Sequence, residues 1–317
     1  MRSRPSRMLL VCAATSLALS ITFAVLSAIG LTPAVTYVQN FDAIGATATA
    51  TLPADFRLDR LTTVRTVGNY ATAGTATTAA GGTNLSATAA NGAYNFGATA
   101  NATDRAVGFL SSGTATQSGN LYAQFTNTTG ATLSGLAISY NIEKYRGGSN
   151  SAGFGIQMYS SADGAAWTTA GSDFLTTFPA DAANTGFASA PGATVAISNK
   201  ALSATIPPGG IFYLAWNYSV SSGATTTNAQ ALGIDDINVT GIAAPTGDPA
   251  GAMSASPDTV TIGDTTLVTV NVTPGTNPPS TDLTVTADLG EIGGDHAQAF
   301  SASGNTFTFA ATIPPGR

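Results

Sequence analysis

From Tyr37 to about Thr240 the chain consists of short apolar runs of period two, separated by clusters of Gly, Asn, Ser and Thr. In LYAQF, Leu121, Ala123 and Phe125 share one face, and in LAISYNI, Ile138, Tyr140 and Ile142 do the same, the signature of half-buried strands. GIFYLAWNYSV is apolar on both faces, which predicts a central strand covered from two sides. YSSADGAAWT, from Tyr159 to Thr168, predicts a hairpin on a tight type I′ Asp-Gly turn that folds Trp167 back onto its partner strand. It is not a sialidase-type Asp-box, which keeps one more residue between Asp and Trp. No run offers a helical period, so the pattern predicts an all-β, jelly-roll-like sandwich over residues 35–242.

The pattern breaks at APTGDPAGAMSASP, a Pro/Gly/Ala stretch that predicts a linker over 243–257. A second β pattern follows in TVTIGDTTLVTVNVTP, DLTVTADLG and NTFTFAATIPPGR. It resembles the bacterial immunoglobulin-like modules of surface proteins. An immunoglobulin sandwich needs about 100 residues, so residues 258–317 are expected to be an incomplete module of a longer protein. Residues 1–34 have a basic start, an apolar run from Met8 to Gly30 and small residues, which predicts an export signal cut after Ala34. The run also reaches membrane-spanning length, leaving an uncleaved anchor as the alternative. The expected location is secreted or cell-surface, with membrane contact only through this segment.

Composition narrows the chemistry. Charged residues make up 9% of the chain, against roughly 25% in ordinary soluble domains. The net charge is −6 and three of the eleven basic residues lie in the first seven positions, so no cationic footprint for nucleic acid exists. The one cysteine, Cys12, falls in the export segment, which removes disulfides and Cys-ligated zinc from the rest. His296 is the sole histidine and belongs to the second module, so the sandwich has no Ser-His-Asp triad or histidine base. Glycoside hydrolysis would need a carboxylate pair, for which Glu143 with Asp104, Asp163, Asp173, Asp235 or Asp236 is available. With only two glutamates in the chain, catalysis is not expected.

What remains is a small set of charges inside uncharged strands: Asp104 and Arg105 in TDRAVGFL, Glu143 and Arg146 in NIEKYRGG, and Asp235 and Asp236 in GIDDINVTG. The order "DRA.G", "E..[WY]R" and a closing "IDD" strand resembles a β-sandwich region at the front of large secreted bacterial proteins, some with lamin-tail and endonuclease/exonuclease/phosphatase domains further on. The resemblance spans about Tyr37 to Thr240 and implies no catalytic residue within it. Buried charges must be paired or must hold something. In one reading Asp104, Arg105, Glu143 and Arg146 form structural ion pairs that also neutralise Asp235. In the other, Asp235 or Asp236 with Asp42 binds Ca²⁺, a cation that prefers hard oxygen ligands. Alternation back from Ile237 and Val239 puts Asp235 on their inward face and Asp236 outward, unless a bulge intervenes. The leading functional expectation is a non-catalytic surface binding or adhesion module for a glycan or other cell-surface polymer, with Tyr145, Arg146 and Tyr94 as its contacts. The alternatives are the accessory front of a secreted hydrolase and a structural surface-layer or stalk component.

Overall fold

The period-two runs become strands in a computed structural model that describes residues 29–99, 102–277 and 280–315. Fourteen of them build the large domain: β1 (Ile29–Leu31), β2 (Tyr37–Gln39), β3 (Phe56–Leu61), β4 (Ala79–Gly81), β5 (Gly92–Gly97), β6 (Arg105–Leu110), β7 (Ser118–Asn127), β8 (Leu133–Arg146), β9 (Phe154–Ser161), β10 (Thr168–Thr169), β11 (Leu175–Phe178), β12 (Ala193–Ile206), β13 (Ile211–Val220) and β14 (Ala231–Ala243). The first sheet runs β1-β7-β13-β9-β10, with β3 beside β7 and β11 beside β9. The second runs β12-β8-β14-β6-β5-β4, with β2 beside β14. No α-helix occurs among the described residues, and none of their helical turns is long and apolar enough to cross a membrane. The domain is an all-β sandwich.

Its core lies between the two sheets. From the first sheet, Leu121, Phe125, Ile156, Met158, Leu214, Trp216 and Tyr218 point inward; from the second, Val107, Phe109, Ile138, Tyr140, Ile142, Leu232 and Ile234 meet them. Trp216 and Tyr140 cross edge to face with centroids 5.7 Å apart, and Phe109 stacks on Tyr218 at 6.0 Å. Each such side chain contributes about 1.5–3 kcal/mol by leaving water, so a cysteine-free domain needs no staple to acquire a core. As the two-faced pattern of GIFYLAWNYSV predicts, β13 sits in the middle of its sheet, between β7 and β9.

Three local expectations change. The hairpin at Asp163-Gly164 is wider than a type I′ turn: β9 and β10 pair through Thr168 opposite Ser160, and only Gly164 adopts positive φ. Asp163 Oδ1 instead caps the loop, accepting from the amides of Ala165 and Ala166. Trp167 packs on Tyr122 of β7, centroids 5.4 Å apart, in a cluster that also holds Tyr159 of β9. Second, the stretch read as a linker contains β15 (Ala250–Ser256), paired with β16 (Thr265–Thr273). All seven residues of β15 are exposed, so no hydrophobic period betrays the strand. Third, the sandwich begins before residue 35, because β1 pairs in parallel with Phe125–Asn127 of β7. Residues 1–28 of the expected export segment lie outside the described residues.

The second module adds β17 (Thr286–Ala287), β18 (Gln298–Ala299), β19 (Ser301–Ser303) and β20 (Thr306–Thr312), in a four-stranded β15-β16-β20-β19 sheet and a β17-β18 pair. Its core is small, built on Val268, Val270, Leu289, Phe300, Phe307 and Ala311.

Close approach of β6 to β14 rests on Gly108. A Cβ there would collide with the Leu232 carbonyl oxygen and Gly233 Cα, backbone atoms held by the sheet. Gly108→Ala should therefore cost about 2 kcal/mol or more, in the range of overpacked cores, read as a lower urea midpoint with an unchanged slope.

Candidate functional site

Both sheets have outer faces, and each collects polar residues in a different way. On the first sheet the register aligns Asp59, Asn120, Asn217 and Gln157 in one row across β3, β7, β13 and β9. Its first three members are hydrogen-bonded: Asn120 Nδ2 donates to Asp59 Oδ1 at 2.7 Å, and Asn217 Nδ2 donates to Asn120 Oδ1 at 2.6 Å. The next row carries Arg57, Tyr122, Ala215 and Tyr159. Tyr122 donates to Asp59 Oδ2 at 2.7 Å and accepts from the Gly68 amide at 2.8 Å. Burial raises the Asp59 pKa, and the hydrogen bonds from Asn120 and Tyr122 oppose that rise.

Half of this face is roofed. The loop after β3 lays Thr66, Gly68 and Tyr70 over it: the Thr66 carbonyl accepts from both Asn120 and Asn217, and Trp167 Nε1 donates to the Gly68 carbonyl at 2.8 Å. Arg65, at φ 49°, is held by the carbonyls of Val220 and Gly223 at 3.0 and 2.8 Å. The other half stays open as a groove of about 190 Å³, lined by Arg65, Gln157, Tyr159, Leu175 and Asn217 among others. That is smaller than the ~300 Å³ floor of a typical small-molecule pocket, and suits one ring-sized group of a larger ligand. Gln157 donates its amide nitrogen to the carbonyls of Met158 and Gly171.

The second sheet's outer face carries the acids. A β-bulge in β14 shifts the register between Asp235 and Asn238, with Asp236 at φ 50°. Asp235 lies opposite Asn141, and therefore on the same face as Glu143 and Tyr145, away from the intersheet core. This corrects the inward placement by alternation: the bulge lets Ile234, Ile237 and Val239 all reach the core while Asp235 turns outward. Asp235 is nevertheless only 2% exposed, whereas Asp236 is exposed and accepts from Asn141 Nδ2 at 2.8 Å. Glu143 is also buried and accepts from the Tyr145 hydroxyl at 2.6 Å. Burial raises its pKa, with the charges of Asp104 and Asp236 adding to the rise. Asp235 is pushed further, up to about 9, first by burial, then by the charges of Asp236, Glu143 and Asp104, against one opposing hydrogen bond from the Asp236 amide. Its Oδ1 is buried without a partner.

The ion pairs expected among Asp104, Arg105, Glu143 and Arg146 do not form. Arg105 instead points to the intersheet side, where its guanidinium donates to Asn95 Oδ1 at 2.7 Å and to the Asn95 carbonyl at 3.0 Å. Arg146 donates to the Ala87 carbonyl at 3.1 Å. The buried pair that does form is Lys144 with Asp181, at 2.7 Å; its only signal in the sequence was a lone lysine inside a strand. Asp42 does not reach Asp235, since its carboxylate accepts from the Arg105 amide and from Asn40 Nδ2. Among the described residues no three His, Cys, Asp or Glu side chains stand together as a ready metal-ligand set. Tyr94 and Tyr145 are not surface contacts either. They sandwich Phe96 in a buried stack, with centroid spacings of 4.9 and 4.5 Å, and Arg146 is buried beside them. His296 is exposed and bonded to Asp288 in the second module.

No protein-family model matches the chain, and no curated protein matches it. Among solved structures it is similar to two cleaved adhesin domains of Lys-gingipain from Porphyromonas gingivalis. The K1 domain is 12% identical, over 65% of this chain and 98% of that one, with a TM-score of 0.34. The K3 domain is 11% identical, over 64% and 97%, with a TM-score of 0.31. Likeness at this level assigns neither a ligand nor a residue.

The raised Asp235 pKa has a definite sign. Between about pH 4, where an ordinary aspartate titrates, and about pH 9, the folded state keeps a proton that the unfolded state has released. Stability therefore falls as pH rises through that window. In EDTA, Asp235→Asn should raise the melting temperature at pH 8 by a few degrees, a shift on the order expected for ~1 kcal/mol or more, and should flatten its decline from pH 5 to 9.

Proposed function

We propose that this chain is a non-catalytic extracellular binding module that takes a glycan on the open half of the first sheet's outer face. One observation supports this most directly: the groove sets the half-exposed ring of Tyr159 beside Asn217, the last member of a hydrogen-bonded row, and Gln157, which lies opposite it in register, with Arg65 on its rim. An aromatic face gives an apolar surface for the C–H side of a sugar ring, and amide groups take its hydroxyls, a pairing of apolar body and polar contact common at binding sites. The row behind the groove is fixed from strand to strand, so the contact groups are ordered before any ligand arrives, which reduces the entropy lost on binding. Tyr145, Arg146 and Tyr94 have no part in this reading, because they are buried.

A glycan array should show binding by the intact chain. Tyr159→Ala should weaken the best hit about tenfold or more, equivalent to ~1.4 kcal/mol, with a melting temperature close to that of the parent. A silent array, or full binding by Tyr159→Ala, contradicts the proposal.

A second reading, a Ca²⁺ site at Asp235 and Asp236, is supported by the partnerless Asp235 Oδ1. Glu143 and Asp104 supply further oxygens in place of Asp42, and the exposed Asp104 and Asp236 would have to close over the ion. Millimolar Ca²⁺, the range of extracellular sites, should raise the melting temperature of the parent and leave Asp235→Asn unmoved. Equal behaviour of the two proteins would leave Asp235 with only a proton.

A further inference from the structure

The sandwich makes structural use of residues that the sequence pattern assigns to a discarded signal. Ile29 and Leu31 are buried, and β1 adds a parallel strand to the edge of the first sheet at Phe125–Asn127. The Leu31 carbonyl accepts from the Thr128 amide at 3.3 Å. One residue on, the Thr32 carbonyl accepts from the Gly241 amide of β14 at 3.1 Å, so this segment bridges the two sheets. Cutting after Ala34 would remove β1, uncover the edge of β7 and leave the Gly241 amide without its acceptor.

A cut upstream of β1 removes none of this, and Asp55 marks where the new end would sit. β1 starts beside Asp55, since Ile29 pairs with Phe125 and the Asp55 carbonyl accepts from the neighbouring Gln124 amide, and the Ile29 amide acts on the Asp55 carboxylate as a donor that lowers its pKa. Asp55 is held in the left-handed region at φ 65°, and its carbonyl accepts from the Gln124 amide and the Tyr70 hydroxyl. Its Oδ2 is buried with no hydrogen-bond partner, an arrangement that costs free energy unless a donor arrives. The cation nearest in sequence, Arg57, directs its guanidinium to the carbonyls of Tyr70 and Ala71 instead.

We propose that the export segment is removed by hydrolysis of the Ala28–Ile29 peptide bond, and that the Ile29 α-ammonium so formed pairs with the Asp55 carboxylate, whose Oδ2 is buried. One water is consumed: Ala28 leaves with the new carboxylate and Ile29 keeps the amine, protonated at neutral pH. Where the precursor has a single N–H at Ile29, the mature chain has three donors on a positive charge, enough to reach both Asp55 oxygens. Ala28 supplies the small residue required just before the cut, while Leu26, where the A-x-A pattern has its other small residue, departs from that pattern. Processing would in this way strengthen the seating of β1.

This inference rests on the extracellular part of the proposed function and is independent of the ligand. The full precursor, expressed in an exporting bacterial host, should yield a secreted product whose intact mass and N-terminal sequence begin at Ile29. A product beginning at Val35, at any other residue, or retaining the whole segment overturns the assignment, while any secreted form leaves the extracellular reading intact. The pairing has its own test. In the product beginning at Ile29, acetylation of the α-amine should lower the melting temperature of the parent and have little effect on Asp55→Asn. Equal shifts in both proteins, or no shift in either, overturn the ion pair.

Discussion

The bulge at Asp235-Asp236 is the constraint on which the arrangement of the large domain depends. β14 lies inside the second sheet, bonded to β8 along one edge and to β6 and then β2 along the other. A strand without the extra residue could not present Ile234 and both Ile237 and Val239 to the same core, since alternation separates odd from even positions. The inserted residue resets the phase, and Asp236 absorbs the change with a left-handed backbone. Core continuity, the change of neighbour from β6 to β2 and the outward turn of Asp235 are consequences of that one insertion.

The two outer faces then diverge. The first is polar but almost neutral, its groups hydrogen-bonded to one another in rows, and it costs little to leave partly open. The second gathers carboxylates that form no ion pair with a cation among the described residues, so burial shifts the balance toward protons. Positive charge is handled separately. Arg105 is buried on the core side against Asn95, and Lys144 is satisfied by Asp181. Among the described residues Asp235 and Asp55 each keep one buried carboxylate oxygen without a hydrogen-bond partner, and these are the places where something further is expected to bind or form.

The fold class was legible in the sequence, because period two is a local property and β7, β8 and β13 follow it. The central position of β13 was legible for the same reason, its apolar residues occupying both faces. The failures have physical causes. Tyr94, Tyr145 and Arg146 looked like surface groups, but loops rather than the opposite sheet cover that face, and a loop leaves no periodic trace in the strand it covers. β15 has no buried residue and β1 has three residues in an apolar run, so neither carries a pattern of its own. The charged motifs stood out as unusual positions, yet their partners are backbone groups, asparagine side chains and a tyrosine hydroxyl rather than opposite charges, and spacing in the sequence does not announce such partners. Asn217, Gln157 and Tyr159 passed unnoticed because they are ordinary strand residues until the register aligns them.

By itself the sequence determined an all-β chain, with its sole histidine and sole cysteine outside the period-two runs of the sandwich and a few charges where strands normally have none. These follow from composition and local periodicity, which every residue expresses without reference to distant ones. Only the tertiary structure decided which face each charge occupies, which aromatic rings are buried, and where the first strand begins. Those depend on strand register, on one inserted residue in β14 and on loop coverage, all set by contacts between residues far apart in the chain.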